Sequence, residues 1–187
     1  AQNPEVSITN TYTLNTTNVT ITKKTTGAFA DRAKAFKFTV SGLNADATLD
    51  GVAATGNRVA FNLANGDSKT IENLTVGTVF TIEEDANDST DYDTTDTCHK
   101  EKAKSFKYQV CMGDDGKIYL QALDENGNAI TGKTITGEKL GITVTNNFDG
   151  TPDTGVLLDT LPYLILLAVA VAGGVLVVVR KRKHRDE

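Results

Sequence analysis

Proline is scarce in this chain, with three among 187 residues, and cysteine scarcer still, with two. Before residue 161 no long amphipathic helix pattern occurs, which argues against a helical bundle there. A Gly-rich phosphate loop, a His-Glu-x-x-His pair and a Gly-x-Ser-x-Gly elbow are all missing, so the usual signatures of nucleotide binding, zinc proteolysis and serine hydrolysis are absent. No cofactor and no multiple-turnover enzyme activity are expected. Positive charge is also lacking where nucleic acid would need it: outside the last eight residues the chain holds 14 Lys/Arg against 22 Asp/Glu, net −8, with no interleaving of basic and aromatic side chains. A nucleic-acid partner is therefore not expected.

What is present is divided sharply along the chain. Arg180 to Glu187 carries five Lys/Arg and two Asp/Glu, and directly before it Leu161 to Val179 is a run of 19 residues without a charge. At about 1.5 Å per helical residue such a run spans roughly the hydrocarbon core of a bilayer. The basic cluster Arg180-Lys181-Arg182-Lys183 then marks the cytoplasmic side, so the acidic body is expected outside the cell. Exported chains need a leader, and Ala1 follows neither an initiator Met nor a secretory signal, so a mature or truncated piece is expected.

The body reads as short alternating runs between turn signals. Val19-Ile21, Phe36-Phe38-Val40, Val59-Phe61-Leu63, Phe80-Ile82, Phe106-Tyr108-Val110, Ile118-Leu120 and Ile142-Val144 each repeat with period two. Gly27, Ser41-Gly42, Asn65-Gly66, Gly77, Gly113 to Gly116, Asn126-Gly127 and Gly137 break them. Many short strands with this punctuation predict an all-β sandwich. Threonines on the opposite parity, such as Thr20, Thr22, Thr39, Thr143 and Thr145, suit solvated sheet faces. An internal echo also appears: "EVSITNTY" from Glu5 to Tyr12 matches "GITVTNNF" from Gly141 to Phe148 in alternation and in its Thr-Asn step. Val6 to Asn10 is accordingly read as the last strand of a preceding domain.

Parity places three polar residues on the wrong face. On the first strand Val19 and Ile21 point inward and the next inward position is Lys23; after Phe80 and Ile82 it is Glu84; after Ile142 and Val144 it is Asn146. Unpaired buried charge costs several kcal/mol, so the three must meet, become neutral, or lie at strand ends in water. If they meet, burial favours a neutral amine beside a carboxylic acid. A neutral lysine is a nucleophile, and a protonated glutamate can polarise an amide carbonyl and shuttle protons. Attack on the Asn146 side-chain carbon would expel ammonia and leave an isopeptide bond, once per molecule. The link would enclose roughly 120 residues, for which the loop-entropy relation used for disulfides gives about 5 kcal/mol.

"NVTITKKTTG", "NGDSKTIENLTVGTVFTIEED" and "GITVTNNF" resemble the opening, middle and closing segments of the Cna B-type domains of Gram-positive backbone pilins and adhesins, particularly the streptococcal T-antigen type. The resemblance covers about Thr17 to Asp149 and is loose from Asp85 to Lys139. It implies an immunoglobulin-like sandwich whose first and last strands are neighbours, and an isopeptide bond between Lys23 and Asn146 assisted by Glu84. It also implies that Asn10 serves the same role in the preceding domain. Thr151-Pro152-Asp153-Thr154-Gly155, with the apolar run and basic tail behind it, resembles a Leu-Pro-x-Thr-Gly sortase signal carrying Thr in place of Leu. Thr154 would then be the residue joined to peptidoglycan or to another pilin subunit.

The expected organisation is a last strand of a preceding domain over 1–11, a linker over 12–16, a Cna B-type sandwich over 17–149, and a sorting motif with spacer over 150–160. A membrane helix over 161–179 and a basic cytoplasmic tail over 180–187 complete it. Cys98 and Cys111 either form a disulfide closing about 14 residues, worth up to about 3 kcal/mol, or remain free thiols; an extracellular location favours the disulfide. His99 beside Cys98 reads as a solvated loop residue. Asp85 to Asp96 holds five aspartates but lacks the Gly and Glu of an EF-hand loop, so it reads as a flexible polar loop without a metal. The expected function is a wall-anchored, pilin-like stalk attached by sortase, with a surface adhesin as the alternative. Its partners would be sortase, peptidoglycan or other pilin subunits, and the membrane before sorting.

Overall fold

The computed structural model describes residues 14–150. The strand Val6 to Asn10, the motif Thr151 to Gly155, the apolar run Leu161 to Val179 and the basic tail all lie outside the described residues. Among the described residues there is no α-helix, and therefore no helix long and apolar enough to cross a membrane.

Among the described residues twelve strands form two sheets packed face to face, an all-β sandwich. The strands are β1 (Thr16–Thr26), β2 (Phe36–Ser41), β3 (Thr48–Leu49), β4 (Val52–Ala53), β5 (Arg58–Leu63), β6 (Ser68–Thr75), β7 (Val79–Glu84), β8 (Asp93–Thr95), β9 (Ser105–Met112), β10 (Ile118–Leu123), β11 (Ala129–Ile135) and β12 (Leu140–Asn147). The first sheet runs β4-β3-β6-β1-β12-β8 and the second β11-β10-β9-β7-β2-β5. β1 begins at Thr16, one residue inside the expected linker.

Alternation decides which side chains fill the space between the sheets. Val19, Ile21, Ile142 and Val144 enter it from the first sheet, and Phe36, Phe38, Val40, Phe80, Ile82, Phe106, Tyr108 and Val110 from the second, all fully or almost fully buried. Burying side chains of this size contributes about 1.5–3 kcal/mol each, so the core dominates the stability. Thr20, Thr22, Thr39, Thr143 and Thr145 stand on the opposite faces, half-buried. All seven alternating runs of the sequence lie within strands: β1, β2, β5, β7, β9, β10 and β12.

Five strands are not visible as alternation. In β6 the buried residues are Ile71 and Leu74, three apart, because the β1–β6 pairing shifts register between Thr17 and Val19 and Asn73 adopts a left-handed φ of 59°. Such a bulge inserts one residue and reverses the side-chain parity. β3 and β4 have two residues each, β8 has three, and β11 is an edge strand with only Ile135 buried.

β1 and β12 are parallel neighbours, although they are the first and last strands of the sandwich. Their register sets Lys23 beside Val144 and Thr25 beside Asn146. Beyond this ladder Phe148 donates its N–H to the Thr26 carbonyl at 2.9 Å. Gly27, at φ 107°, lies so close to the Phe148 backbone that a Cβ would collide with its carbonyl. Only glycine allows this approach, which closes the end of the β1–β12 pair.

Candidate functional site

Lys23, Glu84 and Asn146 come from three strands and two sheets, and the fold brings them together. Their exposures are 1%, 1% and 0%. Glu84 Oε1 is the common point: Lys23 Nζ donates to it at 3.0 Å and Asn146 Nδ2 donates to it at 2.6 Å. Each residue follows two apolar inward positions on its strand, so the same alternation that builds the core carries the polar side chains into it. The turn after β5 fixes the lysine backbone, with Lys23 N–H bonded to the Asp67 carbonyl and Gly66 N–H to the Lys23 carbonyl, each at 2.9 Å.

Aromatic rings close around the amine. Lys23 Nζ lies 4.4 Å from the Phe36 ring centroid and 5.4 Å from that of Phe38. Tyr92 packs edge-on against Phe36 and also meets Phe148. Burial pushes the Lys23 amine down to about 8; the Glu84 charge and hydrogen bond oppose that shift, and the Lys104 charge adds to it. The shift brings the titration of the amine toward neutral pH and so raises the share of molecules with a neutral, nucleophilic amine.

Lys104, which the sequence reading passed over, supports the site from behind. Its Nζ donates to the Ser89 carbonyl, the Tyr92 carbonyl and Thr94 Oγ1 at 2.7, 2.8 and 2.7 Å. Thr94 is the β8 partner of Asn146, so Lys104 ties the segment before β8 to the strand that flanks the asparagine. Ser89 and Thr94 are buried, and Asp93 to Thr95 is paired with β12; the expected flexible polar loop over Asp85 to Asp96 is instead packed. The five aspartates gave no sign of this, because the ordering groups are the Lys104 amine and backbone carbonyls. Asp85 itself accepts the Asn87 N–H at 3.0 Å, a local turn.

A second buried polar cluster lies at the end of that segment. Asp96 Oδ2 accepts the Tyr108 hydroxyl at 2.6 Å, and Asp96 Oδ1 accepts the backbone N–H groups of Cys98 and His99 at 3.0 and 2.6 Å. His99 Nδ1 lies 3.1 Å from Asp96 Oδ1, and His99 Nε2 lies 3.0 Å from the Leu123 carbonyl. Both ring nitrogens face acceptors, an arrangement that favours the doubly protonated ring. Burial alone would lower the His99 pKa, but the Asp96 hydrogen bond and charge and the Leu123 carbonyl together raise it. The expectation of a solvated His99 is thus corrected: its ring packs on Phe106 and Tyr108, with its side chain 14% exposed. Burial and the Asp96 charge push the Tyr108 hydroxyl far upward, which keeps it a donor.

The disulfide expected between Cys98 and Cys111 is not formed, and both thiols are free. Cys98 is buried in the core against Tyr108. Cys111 follows the inward Val110 on β9 and so points to the opposite face of that sheet. Burial raises both thiols, so neither resembles a reactive thiolate. Among the described residues no cluster of His, Cys, Asp and Glu has the arrangement of a metal site.

Against this geometry the known proteins can be compared. A pilin of Streptococcus pyogenes serotype M1 is 30% identical over 191 residues, covering 90% of this chain and 50% of the pilin. The chain thus spans about half the length of the curated relative it matches. A crystal structure of the major pilin from Streptococcus pyogenes is 23% identical, covers 73% of this chain and 49% of that one, and has a TM-score of 0.44. A pilus-presented adhesin is 20% identical, covering 72% of this chain and 28% of that chain, also with a TM-score of 0.44. Residues 17–147, from the second residue of β1 to the end of β12, match a family described as a domain of unknown function, DUF7601, and the chain belongs to that family.

Proposed function

We propose that this sandwich is a segment of a pilin-like surface stalk, closed by an isopeptide bond that Lys23 and Asn146 form with the help of Glu84. The observation that carries the reading is one buried carboxylate oxygen, Glu84 Oε1, in hydrogen-bond contact with both the lysine amine and the asparagine amide. A buried Lys–Glu pair is weak evidence for stability, since apolar residues of similar volume often serve as well or better. An amide nitrogen placed on the same oxygen gives the pair a chemical use.

The step balances as follows. Lys23 Nζ gives one proton to solvent, the neutral amine attacks Asn146 Cγ, and Glu84 takes a second proton from Nζ as the bond forms. A Cγ–Nζ bond forms and the Cγ–Nδ2 bond breaks. Glu84 lies 2.6 Å from Nδ2, in position to pass the proton to the leaving nitrogen. Of the three protons on the charged Nζ, one has gone to solvent, one stays on the new amide and one ends on that nitrogen, which departs as ammonia, and Glu84 is returned unprotonated. Fixed contact between amine and amide supplies effective molarity, and the closed aromatic surroundings keep competing water away.

Joining β1 to β12 makes mechanical sense in a stalk. The two strands are parallel neighbours at opposite ends of the sandwich sequence, so tension entering before β1 and leaving after β12 would pass through one covalent link. The 30% identity to a streptococcal pilin supports this setting. Thr151 to Gly155 would be the sorting signal, with Thr154 transferred by sortase to peptidoglycan or to another subunit, and Leu161 to Val179 would hold the chain in the membrane until then. Incubation of the full chain with a pilus-class sortase distinguishes the two surface roles: high-mass ladders support a polymerising pilin, and single attachment supports an anchored adhesin.

The cross-link is tested by intact-mass spectrometry of the full chain in detergent with its cysteines reduced, beside Glu84→Ala. A mass one ammonia below the sequence value, restored in the variant and mapped to a Lys23–Asn146 branched peptide, is the expected result. The full sequence mass in both overturns the reading.

A further inference from the structure

Three buried side-chain atoms among the described residues have no hydrogen-bond partner: Thr25 Oγ1, Glu84 Oε2 and Asn146 Oδ1. Buried polar groups are nearly always paired, so three orphans around one site call for a chemical reason. Two of them belong to the reacting groups. The third is on β1, one inward position beyond Lys23 and in register beside Asn146.

The orphaned Asn146 oxygen is the atom on which negative charge develops when Nζ adds to Cγ. Glu84 Oε1 is already occupied by the lysine amine and by the nitrogen that must leave. In this arrangement the carboxyl group serves the proton transfer and leaves the carbonyl oxygen without a donor. On the β8 side of Asn146, Thr94 Oγ1 accepts from Lys104 Nζ and so has a hydrogen-bond partner, unlike the Thr25 hydroxyl, although its own proton stays available. Thr25, on the β1 side, has an uncommitted hydroxyl and is only 3% exposed. Its backbone is held by its N–H bond to Asn65 Oδ1 at 2.8 Å, which leaves side-chain rotation as the freedom of the hydroxyl.

We propose that Thr25 is the oxyanion donor of the cross-linking step: its hydroxyl turns onto Asn146 Oδ1 as Lys23 attacks. Strands about 4.8 Å apart bring side chains that share a face and a register position within reach of each other. The hydroxyl gives its hydrogen bond to the tetrahedral oxygen and keeps its proton, and the bond relaxes when the carbonyl re-forms. Removing one donor of this kind typically costs 10²–10³ in rate, and a single flexible hydroxyl lies at or below the lower end of that range. The assignment rests on the Lys23–Asn146 reading above.

The test follows the full chain from denaturant. Folding is started by dilution into detergent, samples are quenched in acid at intervals, and the fraction lacking one ammonia is read by intact mass. Thr25→Val, which keeps the shape and removes the hydroxyl, is expected to react about 10–100-fold more slowly. Thr25→Ser is expected to restore most of the rate. The pH midpoint of the reaction should stay near that of the unaltered chain, because a neutral donor leaves the lysine titration alone. Circular dichroism checks that each variant has folded, and Thr25→Ala replaces Thr25→Val if the latter does not fold. Cross-linking of the hydroxyl-free variant at the unaltered rate overturns the proposal and points to Glu84 serving the oxygen through a turned amide. An unaltered chain that never loses ammonia overturns the isopeptide reading, and the role of Thr25 with it.

Discussion

Two buried polar clusters share this sandwich, and they differ in completeness. Around Asp96, both carboxylate oxygens accept hydrogen bonds, both His99 nitrogens find acceptors and Tyr108 has its partner. Around Glu84, one carboxylate oxygen carries two donors while its other oxygen, the asparagine carbonyl and a neighbouring hydroxyl carry none. A satisfied network rigidifies a fold and has little left to gain from reaction. An unsatisfied one sits at higher free energy, and expelling ammonia to form a secondary amide removes the most costly member, a lysine charge in an apolar core. This difference in completeness is why the proposed cross-link is placed at the Glu84 cluster and a purely structural role at the Asp96 cluster.

The largest expected effect breaks the reactive cluster. Asn146→Ala abolishes the cross-link and with it about 5 kcal/mol of loop-closure stabilisation, so thermal unfolding by circular dichroism should move down by on the order of 15 °C. An unchanged midpoint would mean that no covalent closure supports the fold. Asp96→Ala breaks the structural cluster, leaving the Tyr108 hydroxyl and the imidazolium buried without their acceptor. A loss of about 3 kcal/mol in urea unfolding is expected, with ammonia still expelled. Failure to cross-link in a folded Asp96→Ala chain would show that the two clusters are coupled.

Proton chemistry sharpens the contrast at smaller cost. The Lys23 amine is held down to about 8, so the cross-linking rate should rise nearly tenfold per pH unit below that value and level off above it. A rate flat from pH 6 to 9 would contradict a neutral-amine nucleophile. His99 moves the other way: its folded pKa is raised above its unfolded value near 6.5. Its contribution is fully present below 6.5 and is lost as pH rises through the folded value. In the cross-linked chain, urea midpoints should therefore fall over that window, and His99→Gln should flatten the change. The smallest effect belongs to Cys111→Ser, expected within about 0.5 kcal/mol of the unaltered chain, with identical mass shifts whether or not reductant is present.

The alternating strands were legible because period two survives wherever pairing is regular, and the same rule carried Lys23, Glu84 and Asn146 inward with their apolar neighbours. Thr25 was legible by that rule too, one step further along β1, but nothing in its residue type marks a hydroxyl left without a partner. β6 was hidden because its bulge at Asn73 breaks the period. His99 and the aspartate-rich segment were misjudged because their polar composition suits water, and only the approach of Tyr108, Leu123 and Lys104 supplies the partners that let them be buried. The cysteine pair was misjudged because sequence spacing says nothing about which face of a sheet a thiol occupies.

By itself, then, the sequence determined an all-β sandwich and which face of each regular strand meets the core, since alternation and turn residues act over a few neighbouring positions. Contacts among residues far apart in the chain follow from no local pattern: a family resemblance implied that the first and last strands are neighbours and that Lys23, Glu84 and Asn146 meet, and the tertiary structure decided the geometry. It made β1 and β12 parallel neighbours, set one Glu84 oxygen between an amine and an amide, and left three polar atoms beside them without partners. Pairing between distant strands fixes those distances, and no local pattern encodes them.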